Sequence, residues 1–259
     1  MKRFLFSLPV ALSIGLALFP GRGLAGVEEN GDAKAAGQAL AARLRSAEPV
    51  EDSEVSGSLV IKRRRGEPVM EIPITCKVFA RSNAWDSVYE TGATAQVGAQ
   101  KLVVEHRANG PSVYRYGAAA AGSTVAPELR PVEADRLDTP LAGSDFSIGE
   151  LGLEFLFWAD QTRLKGEMRL GEPCYVLESR DASGNRIRSW IDKESVEQNA
   201  PGLMVVEAYD AANRLVKEFT LGHGSFKKVN GRWQLKQMKI RSVQQKSETV
   251  LKFNLADDK

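Results

Sequence analysis

From Glu54 onward the chain mostly alternates apolar and polar side chains with a period of two, broken repeatedly by glycine, proline, asparagine and aspartate. That pattern predicts short strands, each with one buried face. SGSLVIKRR and VMEIPITCKVFAR, joined through Gly66, form a first expected hairpin, and Pro68 and Pro73 place part of it at an edge or an irregularity. WDSVYE, KLVVEHR and PSVYRYG follow as strands carrying Trp85, Tyr89, Val103, Tyr114 and Tyr116. In the last third, EPCYVLESR and NRIRSWID flank a turn at 181–184, and GLMVVEAYD and RLVKEFTLG flank one at 211–213. SFKKV and RWQLKQMKI flank Asn230-Gly231, a turn pair that tolerates positive φ at both positions. ETVLKFNL closes the series, with Leu251, Phe253 and Leu255 on one face. An antiparallel run of this length must curl or close.

Helical spacing occurs in two places. Asp32 stands as an N-cap before AKAAGQALAARLRS, where Ala36, Leu40 and Leu44 form one stripe and Arg43 and Arg45 suit the negative end of the helix dipole. Pro49 ends that helix. A second helix is expected over 148–158. Ser147 and Glu150 form a capping box, with Phe146 and Leu151 placed as its hydrophobic staple. Leu153, Phe155, Leu156, Phe157 and Trp158 make the rest apolar nearly all round, so protein or an apolar ligand must cover it. Before it, 118–141 holds Pro127, Pro131 and Pro140 with little periodicity, which fits either a lid or irregular packing over a sheet edge.

With 259 residues, 43% apolar and 26% charged, the composition is that of an ordinary globular chain with one large domain, expected over 26–259. Residues 1–25 read as a cleaved signal peptide: Lys2 and Arg3, an apolar run over 4–19, then Gly23-Leu24-Ala25. That run contains Pro9 and is short of the ~20 residues a bilayer span needs. The expected location is the periplasm, without a lipid-attachment cysteine. Cleavage would remove Lys2, Arg3 and Arg22 and turn a net charge of +2 into −1, a balance with no general attraction for nucleic acid. One dense basic run remains, Lys62-Arg63-Arg64-Arg65. It suits a solvated hairpin tip at a sheet edge, or a grip on a lipid phosphate or anionic membrane.

Candidate chemistry is sparse. Two histidines, His106 and His223, and two cysteines, Cys76 and Cys174, do not announce a metal site. No nucleophile elbow, phosphate loop or dinucleotide fingerprint is present, and Gly222-His223-Gly224-Ser225 reads as a turn. The expectation is a protein that is not an enzyme and uses no cofactor. Spacing leaves open whether Cys76 and Cys174 pair.

SDFSIGEL, LKGE, GEPCYVLE, RIRSWIDKE and FKKVNGRWQLKQMKI, in that order, resemble the outer-membrane lipoprotein-sorting protein family, the LolA-like superfamily, and within it the less characterised periplasmic members. The resemblance spans roughly 54–255 and is tightest from Thr139 onward. It implies a mainly β fold, an open, strongly curved antiparallel sheet (an unclosed β-barrel) wrapped over helices, with an apolar cavity for acyl chains. The implied function is a periplasmic carrier or chaperone for a lipid or lipoprotein, monomeric, with a membrane-bound donor or acceptor as a further partner. An alternative is a lipid- or peptide-sensing module of the same fold that signals through a protein partner. Phe146, Leu151, Phe155 and Trp158 are the expected lid contacts. Val104, Tyr114, Val176 and Trp190 are the expected sheet lining, their parity taken from alternation alone.

Overall fold

The computed structural model describes residues 32–255 except 65, 83, 108–109, 199 and 230–231. The expected signal peptide at 1–25, Arg65 of the basic run and the Asn230-Gly231 turn lie outside the described residues. The first element is α1 (Ala33–Arg45), capped by the Asp32 side chain, which accepts from the Lys34 amide at 2.9 Å. Five strands then form a meander: β1 (Ser53–Lys62), β2 (Met70–Arg81), β3 (Ala84–Thr91), β4 (Gln100–Arg107) and β5 (Gly110–Ala118). The proline-bearing stretch 118–141 adds the two-residue β6 (Arg130–Pro131) to the free side of β5, so it packs over the sheet edge.

The closing stretch carries α2 (Ile148–Leu151) and a 3₁₀ turn (Glu154–Phe157). After it come β7 (Asp160–Arg169), β8 (Glu172–Arg180), β9 (Arg186–Asp192), the short α3 (Lys193–Glu197), β10 (Leu203–Tyr209) and β11 (Leu215–Thr220). A separate hairpin of β12 (Phe226–Val229) and β13 (Arg232–Leu235) precedes β14 (Gln237–Ser242) and β15 (Ser247–Phe253). Among the described residues the main sheet has 13 strands in the order β6-β5-β4-β3-β2-β1-β15-β14-β11-β10-β9-β8-β7. Every named pair in it is antiparallel. Its edges, β6 and β7, do not pair, so the barrel is unclosed as expected.

Because β15 pairs with β1, the first hairpin sits mid-sheet, and the basic run is a hairpin tip there rather than at an edge. Pro73 is tolerated in this central position for a local reason. Its carbonyl accepts from the Gly92 amide at 2.8 Å, so its missing N–H also points toward β3, where the ladder begins only at Ile74 and Thr91. RWQLKQMKI is not one strand. It divides at Lys236, whose amide donates to the Ser225 carbonyl at 2.7 Å, and the third hairpin leaves the main sheet. β7 is a strand that the sequence pattern does not announce. Its turn to β8 uses Leu170 (φ 53°) and Gly171 (φ 84°), the backbone of a tight hairpin turn, with leucine where asparagine or glycine is usual.

Helix α1 crosses β7 closely. A Cβ on Gly37 would stand 2.5 Å from the Gln161 carbonyl oxygen, so only glycine fits at that crossing. The two cysteines are free and buried. Burial pushes the Cys76 thiol up to about 12 and the Cys174 thiol, with Asp192 adding to it, up to about 11. Neither thiol should react with a disulfide reagent at pH 8 in the folded protein, and both should react once it is unfolded in urea. A mass that changes on reduction, or rapid labelling of the native protein, would contradict this.

Candidate functional site

One face of the sheet carries two apolar clusters, and one stretch of chain packs over both. On the β1–β5 side, Leu59, Ile72, Leu102, Val104 and Tyr114 join Leu251 and Phe253 of β15 in one buried cluster. Leu141, Phe146, Ile148 and Leu151 fill it from above. On the other side, Leu177, Ile187, Ile191 and Leu203 pack against Leu40 and Leu44 of α1, and against Leu153, Phe155 and Leu156. The segment 141–157 therefore bridges two clusters on one face.

Its geometry follows from local sequence. The capping box is present: the Ser147 amide donates to Glu150 Oε2 at 2.8 Å and the Glu150 amide to Ser147 Oγ at 3.4 Å. The helix expected to run through 158 stops after Leu151. A Cβ at Gly152 would overlap the ring and hydroxyl of Tyr114, and Leu153 turns into the left-handed region (φ 54°, ψ 38°). That break aims Leu151 at the first cluster and Phe155 at the second, which an unbroken helix could not do. Ala142, at the other end, is also left-handed (φ 51°, ψ 31°). Two left-handed residues cost roughly 1–2 kcal/mol each, so surrounding contacts must hold them.

Those contacts are polar and specific. Gln100 Oε1 accepts from the Ala142 amide at 2.6 Å and from the Tyr116 hydroxyl at 2.7 Å. The buried Asp145 carboxylate accepts from the hydroxyls of Ser247 and Thr249, the latter at 2.8 Å, while its amide donates to Thr249 Oγ1 at 2.9 Å. Lys217 Nζ donates to the Asp145 carbonyl at 2.9 Å and pairs with Glu150, also at 2.9 Å. Beyond Gly152, the Tyr114 hydroxyl donates to Glu154 at 3.1 Å, and burial raises that carboxyl above its ordinary range. Gln161 Nε2 holds the carbonyls of Phe155 and Trp158, each at 2.9 Å.

Where the clusters meet, a void of about 40 Å³ remains, lined chiefly by Phe146, Leu153, Phe155, Leu203, Phe219 and Ile240, with Glu150 and Lys217 as its charged members. A cavity of ~150 Å³ is what a single benzene occupies. This void is well short of the volume an acyl chain needs, and the protein's own side chains line it.

The sequence-derived residues divide accordingly. Val104, Tyr114, Phe146 and Leu151 come together in the first cluster, and Phe155 joins the second with Trp158 half-buried at its margin. Val176 and Trp190 do not join either. They pack with Cys174 and Val205 in a third cluster. Adjacent Val176 and Leu177 point to opposite faces, and Leu177 takes the closed one, so the lining on β8 and β9 is Leu177 and Ile191. Trp190 instead lies under the Arg169 guanidinium, 4.5 Å from its ring centroid, and donates to Glu167 at 3.0 Å. Alternation could not settle the parity because both faces of β8 are apolar. Asp145, Gln100 and Lys217 had one usable signal: Lys217 alternates with Phe219, placing a cation on an apolar face.

His106 lies in the same sheet, stacked on Trp85 with ring centroids 3.5 Å apart. Ser87 Oγ is 2.9 Å from its Nε2 and Ser112 Oγ 3.4 Å from Nδ1, with no carboxylate among these partners. Burial depresses the imidazole to about 3 from 6.5. A depressed histidine stabilises the fold fully above 6.5, and that contribution is lost as pH falls toward 3, because only the unfolded chain takes the proton. Between pH 6.5 and 5 this histidine should make stability fall with a slope that steepens from about 0.7 toward about 1.4 kcal/mol per pH unit. The His106→Gln variant should show a flatter slope in urea melts over that range; equal slopes would contradict a buried neutral imidazole. Among the described residues no three His, Cys, Asp or Glu side chains converge as a metal site, and no helix is long and apolar enough to cross a membrane.

A DUF1329 family protein of Desulfovibrio piger superposes with a TM-score of 0.65 at 19% identity, covering 86% of this chain and 92% of that one. A putative outer membrane lipoprotein-sorting protein domain of Vibrio parahaemolyticus gives 0.65 at 17%, covering 84% and 89%. A LolA superfamily protein of Nitrosomonas europaea gives 0.54 at 15%, covering 86% and 93%. These likenesses show the fold. No curated protein matches the chain. A family model whose description is "Uncharacterized protein" matches residues 126–257. That match takes in just over half of the sequence, including the closing segment and every strand from β6 to β15, and the chain accordingly belongs to that family, with a LolA-like fold.

Proposed function

We propose that the protein is a periplasmic carrier that shields acyl chains of a lipid or lipoprotein in transit toward the outer membrane, its apolar face receiving them when part of the closing segment lifts. The observation that carries this reading is how that face is closed. One short segment spans both clusters, and its two left-handed non-glycine residues bracket the piece 142–153. The description of the Vibrio parahaemolyticus neighbour as a lipoprotein-sorting domain supports the same reading.

Magnitudes favour a partial movement. Exposing Phe146, Ile148 and Leu151 costs about 1.5–3 kcal/mol each, or roughly 5–9 kcal/mol together. Each acyl methylene that enters returns ~0.8 kcal/mol, so a chain of about ten methylenes offsets the displacement. Lifting the whole segment, including Leu141, Leu153, Phe155 and Leu156, would roughly double the cost. Release of the strain at Ala142 and Leu153 also favours hinging there. The mature protein at micromolar concentration should accelerate transfer of a fluorescent phospholipid between vesicles at least tenfold. A rate equal to that of vesicles alone would defeat the proposal.

A further inference from the structure

At the rim of the closed face, the turn between β1 and β2 lies beside the turn between β14 and β15, because Lys62 stands opposite Glu248 in the β1–β15 ladder. The closing segment supplies a third wall through Gly143 and Asp145. Between them opens a cleft of about 510 Å³, more than ten times the apolar void. Arg63 and Arg64 enter it from the first turn, with Gln244 and Gln245 from the second. Arg63 Nη2 donates to the Gly143 carbonyl at 3.3 Å, and Arg64 is exposed, its side chain with no hydrogen bond or ion pair among the described residues.

Two carboxylates also line the cleft. The oxygens of Asp145 are occupied by Ser247 and Thr249, whereas Glu67 is exposed on the turn. The directed donors left for a ligand are therefore two guanidinium groups and two amides, the set that suits the planar, bidentate recognition of phosphate. Asp145 faces this polar cleft, and its neighbour Phe146 faces the apolar void. A molecule crossing that corner would pass from a polar, arginine-bearing pocket to a hydrocarbon one within one residue.

We propose that this cleft is a phosphate-binding site, with the phosphate group held between Arg63 and Arg64. On the carrier reading, on which the tail placement rests, the phosphate belongs to a lipid headgroup whose acyl chain enters past Phe146. Phosphate binding draws Arg63 from the Gly143 carbonyl and so frees one attachment of the closing segment, next to the hinge at Ala142. A soluble phosphate monoester offers the same chemistry without a tail.

Calorimetric titration of the mature protein with short-chain phosphatidic acid, the matching diacylglycerol, and glycerol phosphate separates these sources. Phosphatidic acid should bind at least tenfold more weakly to R63Q/R64Q, while diacylglycerol binding stays within twofold of wild type. Both substitutions lie in an exposed turn, so an unchanged melting temperature shows that folding is intact. E67Q, which removes a negative charge from the cleft, should tighten phosphatidic acid binding. If R63Q/R64Q binds phosphatidic acid as wild type does, or E67Q weakens it, the phosphate site is overturned while the carrier reading stands. If neither lipid binds but glycerol phosphate does, and R63Q/R64Q abolishes it, the phosphate site stands with a soluble source and the carrier reading falls. No binding by any of the three probes overturns both.

Discussion

Replacing Phe146 with alanine is expected to lower stability by ~3–5 kcal/mol and, at the same time, to increase the lipid the protein takes up. The ring is buried in the cluster that also holds Leu141, Ile148, Phe219 and Ile240, and it forms one wall of the 40 Å³ void. Truncation removes the apolar contacts and leaves an enlarged hole, both of which destabilise the closed state. The same hole begins the space an acyl chain needs, and the displaced segment has less apolar surface to lose when it lifts. A core residue with only a structural role would lower stability and lipid binding together. Urea denaturation and fluorescent fatty-acid titration of one preparation separate the cases, and reduced binding by the folded variant would count against a carrier.

The second large effect is expected at Asp145. Its carboxylate receives the hydroxyls of Ser247 and Thr249, so Asp145→Ala strands two buried donors and cuts the side-chain link between the closing segment and β15. Hydrogen bonds to a charged group are worth about 1.5–3 kcal/mol each, with part recovered by water entry, and a loss of ~3 kcal/mol is expected. The loss should be local. Amide exchange should accelerate across 141–151 far more than across β8 and β9, because the second cluster keeps Gln161 and α1 as independent supports. Uniform acceleration would mean that the segment is an inseparable part of the core rather than a movable cover.

Local features of this fold are legible in the residues that make them. The capping box at Ser147 and Glu150, the Asp32 cap and the apolar stripe of α1 each involve neighbours a few positions apart, and each forms as expected. The end of the second helix was not legible, because Gly152 there lies against Tyr114, 38 residues away, whose ring leaves no room for a Cβ. β7 escaped for two reasons: its residues are largely polar, and Leu170 takes a turn position that the usual signals reserve for asparagine or glycine.

The site divides along the same line. Four expected contacts, Val104, Tyr114, Phe146 and Leu151, share one cluster because the strands carrying the first two have one clearly apolar parity. Val176 and Trp190 sit on the other side because Cys174 and Val176 on β8 are as apolar as Tyr175 and Leu177. The Asp145–Thr249 attachment joins positions 104 residues apart. No periodicity reports such a pairing; only the β1–β15 ladder brings β15 beneath the closing segment.

Native mass spectrometry of the protein taken directly from a membrane-containing host, with solvent extraction of the same sample, tests most directly whether the closed face opens to hold hydrocarbon. The expected result is a population carrying one lipid-sized adduct per chain, lost on extraction and recovered as an acyl-bearing molecule in the organic phase. A bare polypeptide mass throughout, with no acyl chains in the extract, would contradict it.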